Sequence, residues 1–172
     1  FVVTDGDVVV YNISLVKGRN LISLPVQPLN NGIASVLSPI SGKYSIVRKY
    51  DAVRQTWVSY DPGWEEPLPA FNTMNSGEGY LVVIKQEYAT VNLPVQGTLP
   101  SSTAIILRKG RNLVGYNLMD PKSLTSCLSS IAGKYSIVRK FDAGRQTWVS
   151  YDPAWGEPLP AFNEMRRGES YL

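Results

Sequence analysis

From Val8 to Val16 the chain alternates. Val8, Val10, Asn12, Ser14 and Val16 share one face of an extended segment, and Val9, Tyr11, Ile13 and Leu15 share the other. This β-branched run predicts a strand. Asn20 to Leu24 predicts a second strand, stopped at Pro25 because proline cannot donate to a ladder. Ile33, Val36, Leu37 and Ile40 recur at helical spacing, as do Leu124, Cys127, Leu128 and Ile131. Each set predicts a short amphipathic helix, with Asn31 and Ser123 as caps and Pro39 ending the first. Alternation returns from Lys43 to Tyr50, placing Tyr44, Ile46, Arg48 and Tyr50 opposite Ser45, Val47 and Lys49. Trp57 to Tyr60 reads as its hairpin partner, with Asp51, and Asp142 further on, forming the turns. Pro67 to Pro69 predicts a rigid loop, and Gly77 to Tyr80 leads into a further strand.

Much of this pattern occurs twice. GKYSIVRKYDAVRQTWVSYDPGWEEPLPAFN from Gly42 to Asn72 returns from Gly133 to Asn163 with four differences in 31 positions: Tyr50/Phe141, Val53/Gly144, Gly63/Ala154 and Glu65/Gly156. The match extends back to KGRNL, from Lys17 and Lys109, and forward to GEGYL at Gly77 and GESYL at Gly168. The offset is 92 residues at KGRNL and 91 afterwards. A period of that length exceeds a solenoid repeat and suits a small domain. The expected fold is mainly β: two homologous small β-sandwich or barrel domains in tandem, residues 1–95 and 96–172. Each is expected to hold six or seven strands and one short helix.

The ends of the repeat carry a further expectation. After Tyr80 the first copy continues LVVIKQEYATVNLPVQGT, whereas the sequence ends at Leu172 within the equivalent strand. The opening FVVTDGDVVVYNISLVKG aligns with LPVQGTLPSSTAIILRKG ahead of the second copy. Two explanations stand side by side. One is a piece of a longer repeat protein. The other is donor-strand exchange, in which Phe1 to Val10 completes the second copy of the next molecule and builds head-to-tail filaments. The interface would then hold Phe1, Val2, Val3, Val8, Val9, Val10, Tyr171 and Leu172.

Composition narrows the chemistry. Apolar residues make up 44% and charged residues 18%, an ordinary globular balance, and the net charge of +3 is too small to argue for nucleic acid. There is no histidine, which removes serine–histidine triads, cysteine–histidine pairs and histidine-ligated metals. The one cysteine, Cys127, reads as a small buried hydrophobe. No run reaches the roughly 20 apolar residues of a membrane-spanning helix. Asp5-Gly6-Asp7 is too short for a calcium loop.

The order G-x-N-L-I-S-L-P, G-K-Y-S-x-V, Y-D-A…W-x-x-Y-D-P and F-N-x-M-x-x-G-x-G-Y resembles a module of large bacterial and archaeal cell-surface proteins. It is carried by Gly18, Asn20 to Pro25, Gly42 to Ser45, Tyr50 to Ala52, Trp57, Tyr60 to Pro62, Phe71, Gly77, Gly79 and Tyr80. The second copy departs at Phe141, at Gly115 to Asn117, and at Ser170, which stands where the first has Gly79. If Gly79 needs a positive φ, serine resists it there. The resemblance implies an extracellular, β-rich module with no defined catalytic site to carry over, and no cofactor is expected.

Other candidate sites follow from residue type. Tyr60, Trp64, Tyr151 and Trp155 lie beside a proline-rich loop and form a candidate glycan platform, while Trp57, Trp148, Phe71 and Phe162 read as core. Arg48, Lys49, Arg54, Arg139, Lys140 and Arg145 interleave with aromatic residues and read as a solvated face with cation–π pairing. Glu65-Glu66 and Glu78/Glu169 have no catalytic spacing. Asn12-Ile13-Ser14 fits the N-glycosylation pattern. The function expected is that of an extracellular structural or adhesive protein, whose partners are other copies of itself or other surface proteins. Neither catalysis, metal, nucleic acid nor membrane insertion is expected. A carbohydrate-binding module of a larger surface protein is the alternative.

Overall fold

The computed structural model describes residues 6–64, 71–100, 104–156 and 162–172. The fold is mainly β, with every ladder between named strands antiparallel. In the first copy β1 (Val8–Val16) passes at Lys17 into β2 (Gly18–Ser23). Gly18 turns this corner at φ +83, and Asn20 closes it: its Oδ1 accepts the Val16 N–H at 2.9 Å and its Nδ2 donates to the Val16 carbonyl at 2.7 Å. The second copy repeats the device at Gly110 (φ +95), with Asn112 bonded both ways to the Arg108 backbone at 2.8 Å. The G-x-N signature therefore forms a corner.

After β3 (Gln27–Pro28) comes α1 (Ile33–Leu37), followed by a 3-10 turn over Ser38–Ile40 that contains Pro39. Gly32, not Asn31, is the N-cap residue; Asn31 instead donates to Asn75 Oδ1 at 2.8 Å. Strands β4 (Tyr44–Asp51) and β5 (Thr56–Tyr60) form the expected hairpin, with Asp51 Oδ1 accepting the amides of Val53 and Arg54. Those two bonds and the Arg54 guanidinium hold the Asp51 carboxyl below the usual carboxylate range. Next come β6 (Gly79–Ile84) and β7 (Thr90–Thr98). The sheets run β1-β7-β3 and β2-β6-β4-β5. Their apolar faces and α1 share one core, with Leu15, Leu24, Leu37, Val47, Tyr80 and Leu93 at its centre. Because β7 reaches Thr98, a division of the chain at residue 95 cuts a strand, and the first copy extends past it.

The second copy is thinner. It holds β8 (Val114–Gly115), β9 (Lys122–Ser123), α2 (Leu124–Cys127), β10 (Val138–Asp142), β11 (Thr147–Tyr151), β12 (Glu164–Met165) and β13 (Ser170–Tyr171). These pair as β10-β11, β9-β12 and β8-β13. Ser123 is the expected cap, its Oγ accepting the Ser126 amide at 3.3 Å. A second cluster forms around Tyr116, Leu124, Val138, Phe162 and Tyr171.

The two copies differ in the length of one strand, which begins at Tyr44 in the first and at Val138 in the second. In the first, Tyr44 and Ile46 pair with Ile84 and Val83. Their second-copy counterparts, Tyr135 to Ile137, lie outside any strand.

Candidate functional site

The most unusual surface is the face of the second copy that β7 covers in the first. Ile13 and Leu15 of β1 are 6% and 0% exposed, while their counterparts Ile105 and Leu107 are 39% and 41% exposed and Ile106 is 87% exposed. The helical segment shows the same trend. Val36, Leu37 and Ile40 are buried; their counterparts Cys127, Leu128 and Ile131 are only partly so. Cys127 is therefore a half-buried residue, not the core position expected, although burial still pushes its thiol above the ordinary range. What β7 contributes to the first copy is its inward row, Val91, Leu93 and Val95, all buried. Among the described residues no strand covers the corresponding row of the second copy.

The residues expected at a strand-exchange interface are distributed as follows. Phe1, Val2 and Val3 lie outside the described residues. Val8, Val9 and Val10 pair with Thr98, Gly97 and Gln96 of the same chain. Tyr171 is buried and pairs with Val114. Leu172 exchanges two backbone hydrogen bonds with Arg139, at 2.7 and 2.9 Å.

A second surface joins the copies. They do not hang apart: the backbone and glutamine contacts across the seam come in pairs with the roles of the copies exchanged. Ser23 donates its amide to the Gly168 carbonyl and Gly115 donates to Gly77, both at 2.9 Å. Isolated bridges link Ile22 to Glu169 and Val114 to Glu78. Gln146 Oε1 accepts the Arg19 amide at 2.8 Å while its Nε2 donates to the carbonyls of Arg19 and Lys17. Gln55 treats Arg111 and Lys109 in the same way, with Arg111 N at 2.8 Å. This reciprocity is that of a two-fold contact, here between two copies of the repeat. Both glutamines sit at φ +54, a conformation non-glycine residues rarely take, stabilised here by bonds that need it. A groove of about 530 Å³ lies beside the seam, where Arg167 stacks over the Tyr11 ring at 4.9 Å.

The serine that replaces Gly79 has a different explanation from the one expected. Neither Gly79 nor Ser170 has a positive φ. Gly79 is needed for close approach: a Cβ there would stand 2.9 Å from the Ser170 Cβ and 2.6 Å from Leu113 Cγ.

The aromatic residues divide. Tyr60 and Tyr151 are buried, 6% and 5% exposed, and cannot offer a ring face to a sugar. Trp64 and Trp155 are 43% and 61% exposed, the latter on a 3-10 turn over Pro153–Trp155 that Asp152 caps. Phe71 and Phe162 are core as expected, stacked on Tyr80 and Tyr171 at 6.0 and 5.7 Å. Trp57 and Trp148 are not core; they pack edge-on against Tyr50 and Phe141 at 5.3 Å on half-open strands. Lys49 and Lys140 lie 5.4 Å over Phe71 and Phe162, while Arg54 and Arg145 pair with Asp51 and Asp142. Asn12 is exposed on β1, and its Oδ1 accepts from Asn92 at 3.1 Å. The Glu65-Glu66 pair and the Pro67 to Pro69 loop lie outside the described residues.

No family model, no curated protein and no solved structure matches this chain.

Proposed function

We propose that this chain is a non-catalytic extracellular structural or adhesive protein, whose working chemistry is strand pairing between molecules at the uncovered face of its second copy. The observation that carries the reading is the contrast between counterparts. Ile13 and Leu15 are buried under β7, and Ile105 and Leu107 are exposed, with no such strand beside them among the described residues. An edge of this kind takes an added strand, main-chain bonds giving affinity and the apolar row giving register.

The donor is read from the internal alignment. Phe1 to Gly6 stands at the place of Leu93 to Thr98, with Phe1 and Val3 at the positions of the buried Leu93 and Val95. Seating this segment on the second copy of another molecule repeats the order in which β7 leads out of the first copy into the second. The contact is head-to-tail and does not close, so it propagates as a filament. Removing Phe1 to Asp7 is expected to abolish concentration-dependent assembly seen by light scattering and electron microscopy, leaving a monomer of unchanged strand content. Oligomers that survive the deletion, or an intact chain that stays monomeric at all concentrations, would overturn strand donation by this chain.

A second reading, a carbohydrate-binding module, is favoured by the exposed Trp155. Large flat rings on a fixed turn are suited to stacking on a sugar. Trp64→Ala with Trp155→Ala is expected to lose retention on a polysaccharide column while changing stability by less than about 0.5 kcal/mol, as for other surface substitutions. Unchanged retention would remove this reading.

A further inference from the structure

We infer that the seam between the copies is keyed, so that a first copy fits a second copy and neither fits its own like. This rests on the seam alone and not on the functional reading above. At the two-fold contact a residue meets its own counterpart, and at two such meetings one side is glycine. Ser23 faces Gly115, and Gly79 faces Ser170. In each, one copy supplies serine and the other glycine, and the side that supplies the serine alternates.

The distances make this a fit and not a coincidence of small residues. A Cβ at Gly115 would stand 2.4 Å from the Ser23 Cβ and 2.7 Å from the Glu78 carbonyl oxygen. Two first copies brought together in the same way would place Ser23 against Ser23 and meet that overlap. Two second copies would place Ser170 against Ser170, where a Cβ at Gly79 is already 2.9 Å from its neighbour. Each like pair thus carries one serine–serine collision, and the unlike pair carries none. Close-packed interfaces do not absorb such overlap without moving backbone. Specificity of this kind is a difference between partners, achieved by a clash built against the wrong one. The partner that fits the first copy's face is therefore a copy with glycine at the place of Gly115. A second first copy is excluded, which directs pairing across the seam to unlike copies.

The test exchanges the key at one meeting in the intact chain. Gly79→Ser builds the serine–serine contact of a like pair. It is expected to lower the melting midpoint by about 5–10 °C, the effect of overpacking in a chain of this size. Native-state hydrogen exchange should quicken at the Ser23 and Gly115 amides, which are both bonded across the seam. Adding Ser170→Gly restores the glycine opposite, and the double variant is expected to recover about half of that loss, the overlap with Leu113 Cγ at 2.6 Å remaining. Ser170→Gly alone is expected to stay at or above the parent midpoint, because the Ser170 hydroxyl is buried with no hydrogen-bond partner among the described residues. If Gly79→Ser does not fold, Gly79→Ala with and without Ser170→Gly gives the same comparison with a smaller overlap. A double variant as unstable as Gly79→Ser, or a Gly79→Ser chain that melts with the parent, would overturn the keyed seam. So would a Ser170→Gly chain that loses as much as Gly79→Ser.

Discussion

Leu15→Ala is expected to destabilise the chain by about 3 kcal/mol, and Leu107→Ala, the same substitution at the counterpart position, by less than about 1 kcal/mol. Leu15 is wholly buried between β7 and the first-copy core, so truncation removes apolar contact and leaves a cavity in a packed interior. Leu107 is 41% exposed, and its missing methylenes are replaced by water. Denaturant titration of the two variants at low protein concentration measures both costs. Equal costs would mean that Leu107 is covered in solution and that the open face is not open. Repeating the Leu107→Ala titration at high concentration adds a second reading. A cost that grows with concentration is what an assembling edge produces, because association stabilises the folded form by mass action.

Gln146→Ala is expected to cost about 2 kcal/mol, which is large for an exposed polar side chain. The amide makes one accepted and two donated hydrogen bonds to the backbone of Lys17 and Arg19 in the other copy, each worth roughly 0.5–1.5 kcal/mol and discounted for exposure. Alanine loses all of them and keeps the unfavourable φ of +54. Gln146→Gly loses the same bonds but takes that φ freely, so it is expected to be less destabilising than the alanine variant by about 1 kcal/mol. Gln55 makes the reciprocal contacts, and its variants should follow the same order. Thermal melts of the four single variants measure this. An alanine variant indistinguishable from the parent would show that the glutamines do not hold the seam.

Part of the candidate site was legible in residue patterns. The alternation in β1 and β4, the Asp51 and Asp142 turns and the Ser123 cap are local, decided by side chains within a few positions of one another. The fates of the aromatic residues were not legible. Tyr60 and Trp64 stand four positions apart in one motif, yet one is core and the other surface. Trp57 reads like a core residue and packs instead on the outer side of a two-stranded hairpin in the company of Tyr50. Position in a motif does not say which sheet face is covered. Nor does a glycine announce whether it serves a turn or a close approach. Gly79 is of the second kind, and the signal for it lay in Ser170, read in sequence as a turn defect.

By itself, then, the sequence determined the mainly β class, the duplication, the hairpins and which residues of each strand share a face, because these depend on periodicity and turn chemistry along the chain. Tertiary structure alone decided which of those faces is covered. The apolar row of Ile13 and Leu15 and that of Ile105 and Leu107 read alike, yet one is buried and the other open. Burial is a property of the neighbour, and the neighbour in question, β7, lies more than seventy residues away in the chain. The seam was likewise invisible in sequence. Ser23, Gly79, Gly115 and Ser170 acquire meaning only when two distant copies bring each residue against its counterpart.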